Sequence, residues 1–156
     1  MNPAADYADL LARQDAAVQA FVDVLERERD ALAARPVAHA ALNAATEAKT
    51  RQAESLEALE RERQRLAEAA RAGAGTDLSD AELAQALGCG ERWAELCARV
   101  AHARNQNAIN GMAIQTRLEH TEERLNFLRR HTSSALYAPD GRRSPSAGAG
   151  RLRGGA

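Results

Sequence analysis

Aromatic side chains are nearly missing from this chain: one Trp, two Tyr and two Phe stand among 156 residues. Large core-filling groups are therefore scarce, and much of the 45% hydrophobic content is Ala. A wide globular core would stay underfilled, whereas thin helix pairs need only a narrow apolar seam. Lysine is scarcer still. Lys49 stands alone among the basic residues and the rest are Arg, a pattern that reads as coding bias. Net charge is close to balanced, at −1, so no bulk field draws the chain to nucleic acid or to a membrane surface. The two cysteines, Cys89 and Cys97, stand eight positions apart. On one helix that is ~12 Å of rise, out of reach of a disulfide. No secretory signal and no apolar run long enough to span a bilayer appears. The expectation is a soluble cytoplasmic protein with free thiols and no membrane insertion.

Catalytic and metal-binding patterns are missing as well. His39, His102, His120 and His131 form no helical pair at i,i+3 or i,i+4 with one another. Glu119 and His120 lack matching motifs elsewhere, as a di-iron bundle would require. Gly88 and Gly90 flank Cys89, but no strand pattern precedes them and no Lys-Ser/Thr follows, so they read as a turn. We expect no enzyme, no metal and no cofactor. The basic tail lacks interleaved aromatics, which argues against nucleic-acid binding.

What the chain does carry is helical periodicity. Asn2-Pro3 suits a helix start. Tyr7, Leu11, Val18, Phe21, Leu25 and Leu32 then step by threes, fours and sevens, with Gln14 and Glu28 in the intervening seam places. Pro36 stops this helix. A second seam runs through Leu42, Ala45, Lys49, Gln52, Leu56, Leu59, Arg63, Leu66 and Ala70. The short break predicts a tight reversal and an antiparallel hairpin. Gly73 to Thr76 ends the second helix, and Ser79 with Glu82 makes a capping box for a short third one. The last helix is long. Its expected seam reads Trp93, Cys97, Val100, Arg104, Asn107, Gly111, Ile114, Leu118, Thr121, Leu125, Leu128 and Thr132. In this reading Asn107 and Asn110 fix register by pairing with polar seam residues such as Gln14 or Gln52, and Gly111 permits a close helix approach.

The predicted fold is all-α: an elongated antiparallel three-helix coiled-coil bundle, built from a helical hairpin and a long last helix. The helices are expected at about 4–34, 37–72, 80–87 and 91–135, within a domain spanning 1–137. Residues 138–156, rich in Gly, Arg, Ser and Pro, form a disordered tail in this reading. That tail holds four Arg against one Asp, a local charge of +3. At ~1.5 Å per residue the long helix reaches ~65 Å and the first two ~45 to 50 Å. The stretch from Phe127 to Tyr137 should therefore overhang, exposing Phe127, Leu128, Leu136 and Tyr137, with Leu125 at its base. Exposed apolar residues on a helix mark a partner site.

The closing stretch also carries a resemblance. Asn107, Asn110-Gly111, the Leu-spaced helix and Leu136-Tyr137-x-Pro-Asp-Gly141 resemble the C-terminal pattern of the FlgN-type flagellar type III export chaperones. Lys49 and the Glu60-to-Arg65 run also stand where that family tends to carry such residues. The resemblance implies a cytoplasmic, non-enzymatic chaperone. It would bind the C-terminal helices of the hook–filament junction proteins FlgK and FlgL, prevent their premature assembly and deliver them to the export gate. Tyr137 matches the family position implicated in docking on the gate protein FlhA. The chain is expected as a monomer or weak dimer. The competing reading is a structural coiled-coil scaffold that self-associates through its seams.

Overall fold

The structure, a computed structural model, describes residues 2–136, with side chains through residue 131. Four helices follow one another: α1 Pro3–Ala33, α2 His39–Ala74, α3 Asp80–Ala86 and α4 Gly90–Leu136. No strand occurs among the described residues. The chain divides into two compact units, Met1–Thr116 and Arg117–Ala156. Tyr137 and the tail lie outside the described residues, as does the side chain of Leu136.

Local chemistry sets the helix ends. Asn2 caps α1, its side chain accepting from the Ala4 amide at 3.2 Å, with Pro3 in the first turn. Gly75 closes α2 in the left-handed region at φ 65, where a Cβ would be strained. Ser79 and Glu82 form a reciprocal capping box at the start of α3.

In the first unit α1 is the central helix. It buries adjacent pairs, Leu10 with Leu11, Val24 with Leu25 and Ala31 with Leu32, so its apolar face is wider than one seam. One side meets α2. Tyr7 contacts Arg63, Arg13 contacts Glu62 and Glu28 contacts Lys49, so partner numbers fall as α1 advances and the two helices are antiparallel. The other side meets α4. Asp15 pairs with Arg99, and the backbone at Leu25 with Asn110, so α4 advances in the same direction as α1. Tyr7, Leu11, Val18 and Val22 share one core with Ala67, Leu83, Ala84, Cys89, Leu96 and Ala103.

The buried face of α4 differs from its predicted seam. Leu96, Ala103 and Asn110 are buried, as is Cys89 just before the helix, while Cys97, Arg104, Asn107 and Gly111 are exposed. Three of the expected seam positions, Cys97, Arg104 and Gly111, give way to the residue before each. The physical reason lies in Asn110, which is 1% exposed and donates to the Leu25 carbonyl and to the Glu28 carboxylate, both at 2.9 Å. With Asn110 turned inward, Gly111 stands about 100° around the helix and Asn107 about 60° around in the same direction, and both are exposed. Register pairing through Asn107 and close approach at Gly111 are thereby corrected: a Cβ built on Gly111 meets nothing within 4 Å. Gly111→Ala should therefore raise stability by about 0.5–1 kcal/mol, the propensity difference at an exposed helix interior. Urea unfolding measures it, and a loss of stability would place a neighbouring helix against that position.

In the second unit, α4 continues with every described side chain from Leu118 onward exposed. Thr121 Oγ1 donates to the Arg117 carbonyl at 2.9 Å, and the Phe127 and His131 rings stack 3.9 Å apart.

Candidate docking surfaces

Two polar networks hold the helices of the first unit in place. Glu28, on α1, is completely buried. Its carboxylate accepts from Lys49 Nζ on α2 at 2.7 Å and from Asn110 Nδ2 on α4 at 2.9 Å. One acid therefore ties three helices together. A buried charge is tolerated only when paired and hydrogen-bonded, and Glu28 is both.

Arg63 is the centre of the second network and is 4% exposed. It grips Glu60 with two bonds, at 2.9 and 2.8 Å, and donates to Asp80 at 2.9 Å. It also reaches the Tyr7 hydroxyl and lies 4.8 Å above the Trp93 ring. Hydrogen bonding to Arg63 holds the Glu60 and Asp80 carboxyls below their usual range, and the two acids raise the Arg63 guanidinium further. Arg71 adds a second cation on Asp80. This network joins the capped α3 to α1, α2 and α4.

Between α1, α2 and α4 lies an open cleft of about 1000 Å³. Its apolar wall is formed by Val18, Phe21, Leu56, Trp93, Leu96 and Val100. Of these, Phe21, Leu56, Trp93 and Val100 are only partly buried. The sequence spacing placed them in seams expected to close. They stay partly open, while Leu96, Ala103 and Asn110 form the buried face of α4. Gln14, 94% buried by its 6% exposure, lines the same cleft and donates to Glu60 at 3.0 Å. Its Oε1 has no hydrogen-bond partner. No sequence signal isolates that cleft, although a Gln in an apolar seam is the one mark of it.

The second surface lies on the second unit. Leu118, Leu125 and Leu128 are 55, 47 and 55% exposed. At 3.6 residues per turn these three share one stripe. Phe127 is 59% exposed but falls about half a turn around from Leu125. The predicted site residues Leu125 and Leu128 are thus brought onto one face, and Phe127 is not; it packs on His131 instead. Tyr137 and the Leu136 side chain fall outside what the structure describes. Among the described residues no group of His, Cys, Asp and Glu could hold a metal ion. No helix among them is long and apolar enough to cross a membrane.

The chain is similar to the flagella synthesis protein FlgN of Salmonella typhimurium, at 25% identity over 139 residues, covering 89% of this chain and 91% of the relative. The flagella synthesis protein FlgN of Salmonella typhi is similar to the same extent, 25% over 139 residues. No solved structure matches the chain. The profile described as FlgN protein matches residues 1–145, nearly the whole length. The chain belongs to the FlgN protein family.

Proposed function

We propose that this protein is a cytoplasmic flagellar export chaperone. It acts by binding alone, with no catalysis and no cofactor. Its cargo is the C-terminal helices of the hook–filament junction proteins FlgK and FlgL, which it keeps from premature assembly and brings to the export gate protein FlhA. Residues 1–137 form the chaperone domain, with α1, α2 and α4 as an antiparallel three-helix coiled coil. The observation that carries the reading is the exposed stripe of Leu118, Leu125 and Leu128. A cargo helix laying its own apolar face on that stripe would cover surface that water now meets. Leu136 stands eighteen residues after Leu118, five helical turns, and so belongs to the same register. Tyr137, just beyond it, is assigned the contact with FlhA. The family membership and the name of the Salmonella relatives support the flagellar setting.

Leu125→Ala with Leu128→Ala should reduce co-purification with the C-terminal segments of FlgK and FlgL at least tenfold, a loss of about 1.4 kcal/mol or more. The thermal midpoint should stay unchanged, because both side chains are exposed. A fall in the midpoint would make the pair core and remove the assignment. Phe127→Ala, on the far side of the stripe, should have the smaller effect. Concentration-dependent growth in size without cargo would favour the self-associating scaffold instead.

A further inference from the structure

The cleft of the first unit shares no residue with the leucine stripe. We propose that it docks an amphipathic helix with a hydrogen-bond donor at the centre of its apolar face and carboxylates along one edge. Four observations define this occupant. First, the walls are helices, whose backbone groups bond internally. They offer no strand edge, so the occupant must satisfy its own backbone and is itself helical. Second, the size fits. A helix with side chains is about 10–12 Å across and rises 5.4 Å per turn, so about 1000 Å³ holds roughly two turns. Third, Gln14 sets a polar requirement. Its amide NH2 is committed to Glu60, an acceptor-only carboxylate held ionised by Arg63, which fixes Oε1 as the free end. That buried oxygen has no partner, and a Ser, Thr or Asn donor on the occupant completes it. Fourth, the rim has an uncommitted charge. Glu57 is paired with Arg61, and Glu60 with Arg63. Arg104, across the cleft on α4, is exposed and has no ion-pair partner among the described residues. The charge left to complement is positive, so the facing edge of the occupant is acidic. Arg63, stacked on Trp93, holds that ring as a fixed wall.

The proposal rests on the chaperone reading only in naming FlgK and FlgL as natural sources of the helix. Trp93, the one Trp in the chain, reports on the cleft directly. The full-length protein is titrated with two kinds of Trp-free probe. One is a designed peptide with Leu at i, i+3, i+4 and i+7, a central Ser and a Glu edge. The other is the C-terminal segments of FlgK and FlgL with any Trp replaced by Phe. Docking of the designed peptide should shift Trp93 emission to shorter wavelength and saturate. Arg104→Glu, a change at an exposed site, should weaken it about tenfold at low salt. A peptide with its Glu edge changed to Lys should recover the loss, and Ser→Ala in the peptide should weaken binding about threefold. If the designed peptide leaves Trp93 unchanged, or binds Arg104→Glu as tightly as wild type, the cleft proposal is overturned. Co-purification of the FlgK and FlgL segments through the leucine stripe would then still uphold the chaperone reading. If the designed peptide docks and those segments bind nowhere, the cleft stands and the cargo assignment falls.

Discussion

Lys49→Met should destabilise the first unit by about 3–5 kcal/mol at neutral pH, the cost of stranding a buried charge. Lys49 Nζ stands 2.7 Å from Glu28 Oε1, and the Glu28 side chain is 0% exposed. Methionine keeps most of the apolar stem but removes the cation. Glu28 would retain only the Asn110 amide, at 2.9 Å. That single neutral donor does not offset the desolvation of a carboxylate. Glu28→Gln in the Lys49→Met background should recover at least half of the loss, because a neutral amide still accepts from Asn110 and strands no charge. The two single changes should therefore be strongly non-additive, with a coupling above about 1 kcal/mol in a double-mutant cycle. Urea unfolding of the four proteins gives the answer. A loss below about 1 kcal/mol for Lys49→Met would mean that water reaches Glu28 in solution.

The same network shows why part of the fold was legible in the sequence and part was not. The helical class followed from composition and period, and along α1 the expected seam residues Tyr7, Leu11, Gln14, Val18, Leu25, Glu28 and Leu32 are buried, with Phe21 partly so. There the spacing of large side chains leaves one solution. On α4 it does not. Trp93, Val100 and Ile114 fit two stripes that differ by one residue at alternate positions: Leu96, Ala103 and Asn110 in one, Cys97, Arg104 and Gly111 in the other. Leu96 and Ala103 are the more apolar choices, but the polar Asn110 obscures that stripe. The choice is made by Asn110 meeting Glu28, a contact between positions 82 residues apart. For the leucine stripe, spacing was sufficient to set Leu125 and Leu128 on one face, while Phe127, exposed as well, lies about half a turn around from Leu125. The cleft was illegible because it depends on which face α4 turns to α1, a tertiary outcome. Spacing alone puts Arg63 in the second seam, and its burial follows once Tyr7, Glu60, Asp80 and Trp93 are all within its reach.

Arg63→Met should cost about 2–4 kcal/mol and should also flatten the response to acid. The loss is smaller than at Lys49 because the stranded partners reach water: the Glu60 and Asp80 side chains are 41 and 36% exposed. In the wild type both carboxyls titrate below their usual values, first of all because Arg63 donates to them. A depressed carboxyl favours the folded state above its unfolded pKa, about 4.3 for Glu and 3.9 for Asp, and that contribution is lost as pH falls through the lower folded value. Wild-type stability should therefore hold above about pH 5 and decline steadily toward pH 3. Without Arg63 the two acids move back toward ordinary values, so the variant starts lower but loses less over the same interval. Arg71 keeps a residual slope through Asp80. Arg63→Lys should restore little, because an ammonium has no planar fork for the bidentate grip on Glu60 and lies poorly on the Trp93 ring. Thermal unfolding of the three proteins from pH 3 to 7 tests this. Equal stability of Arg63→Lys and wild type, or parallel pH profiles for Arg63→Met and wild type, would remove Arg63 from the centre of the network. The same series bears on the cleft. A Trp93 ring released from its guanidinium should show altered emission in Arg63→Met before any peptide is added, as the fixed wall becomes a mobile one.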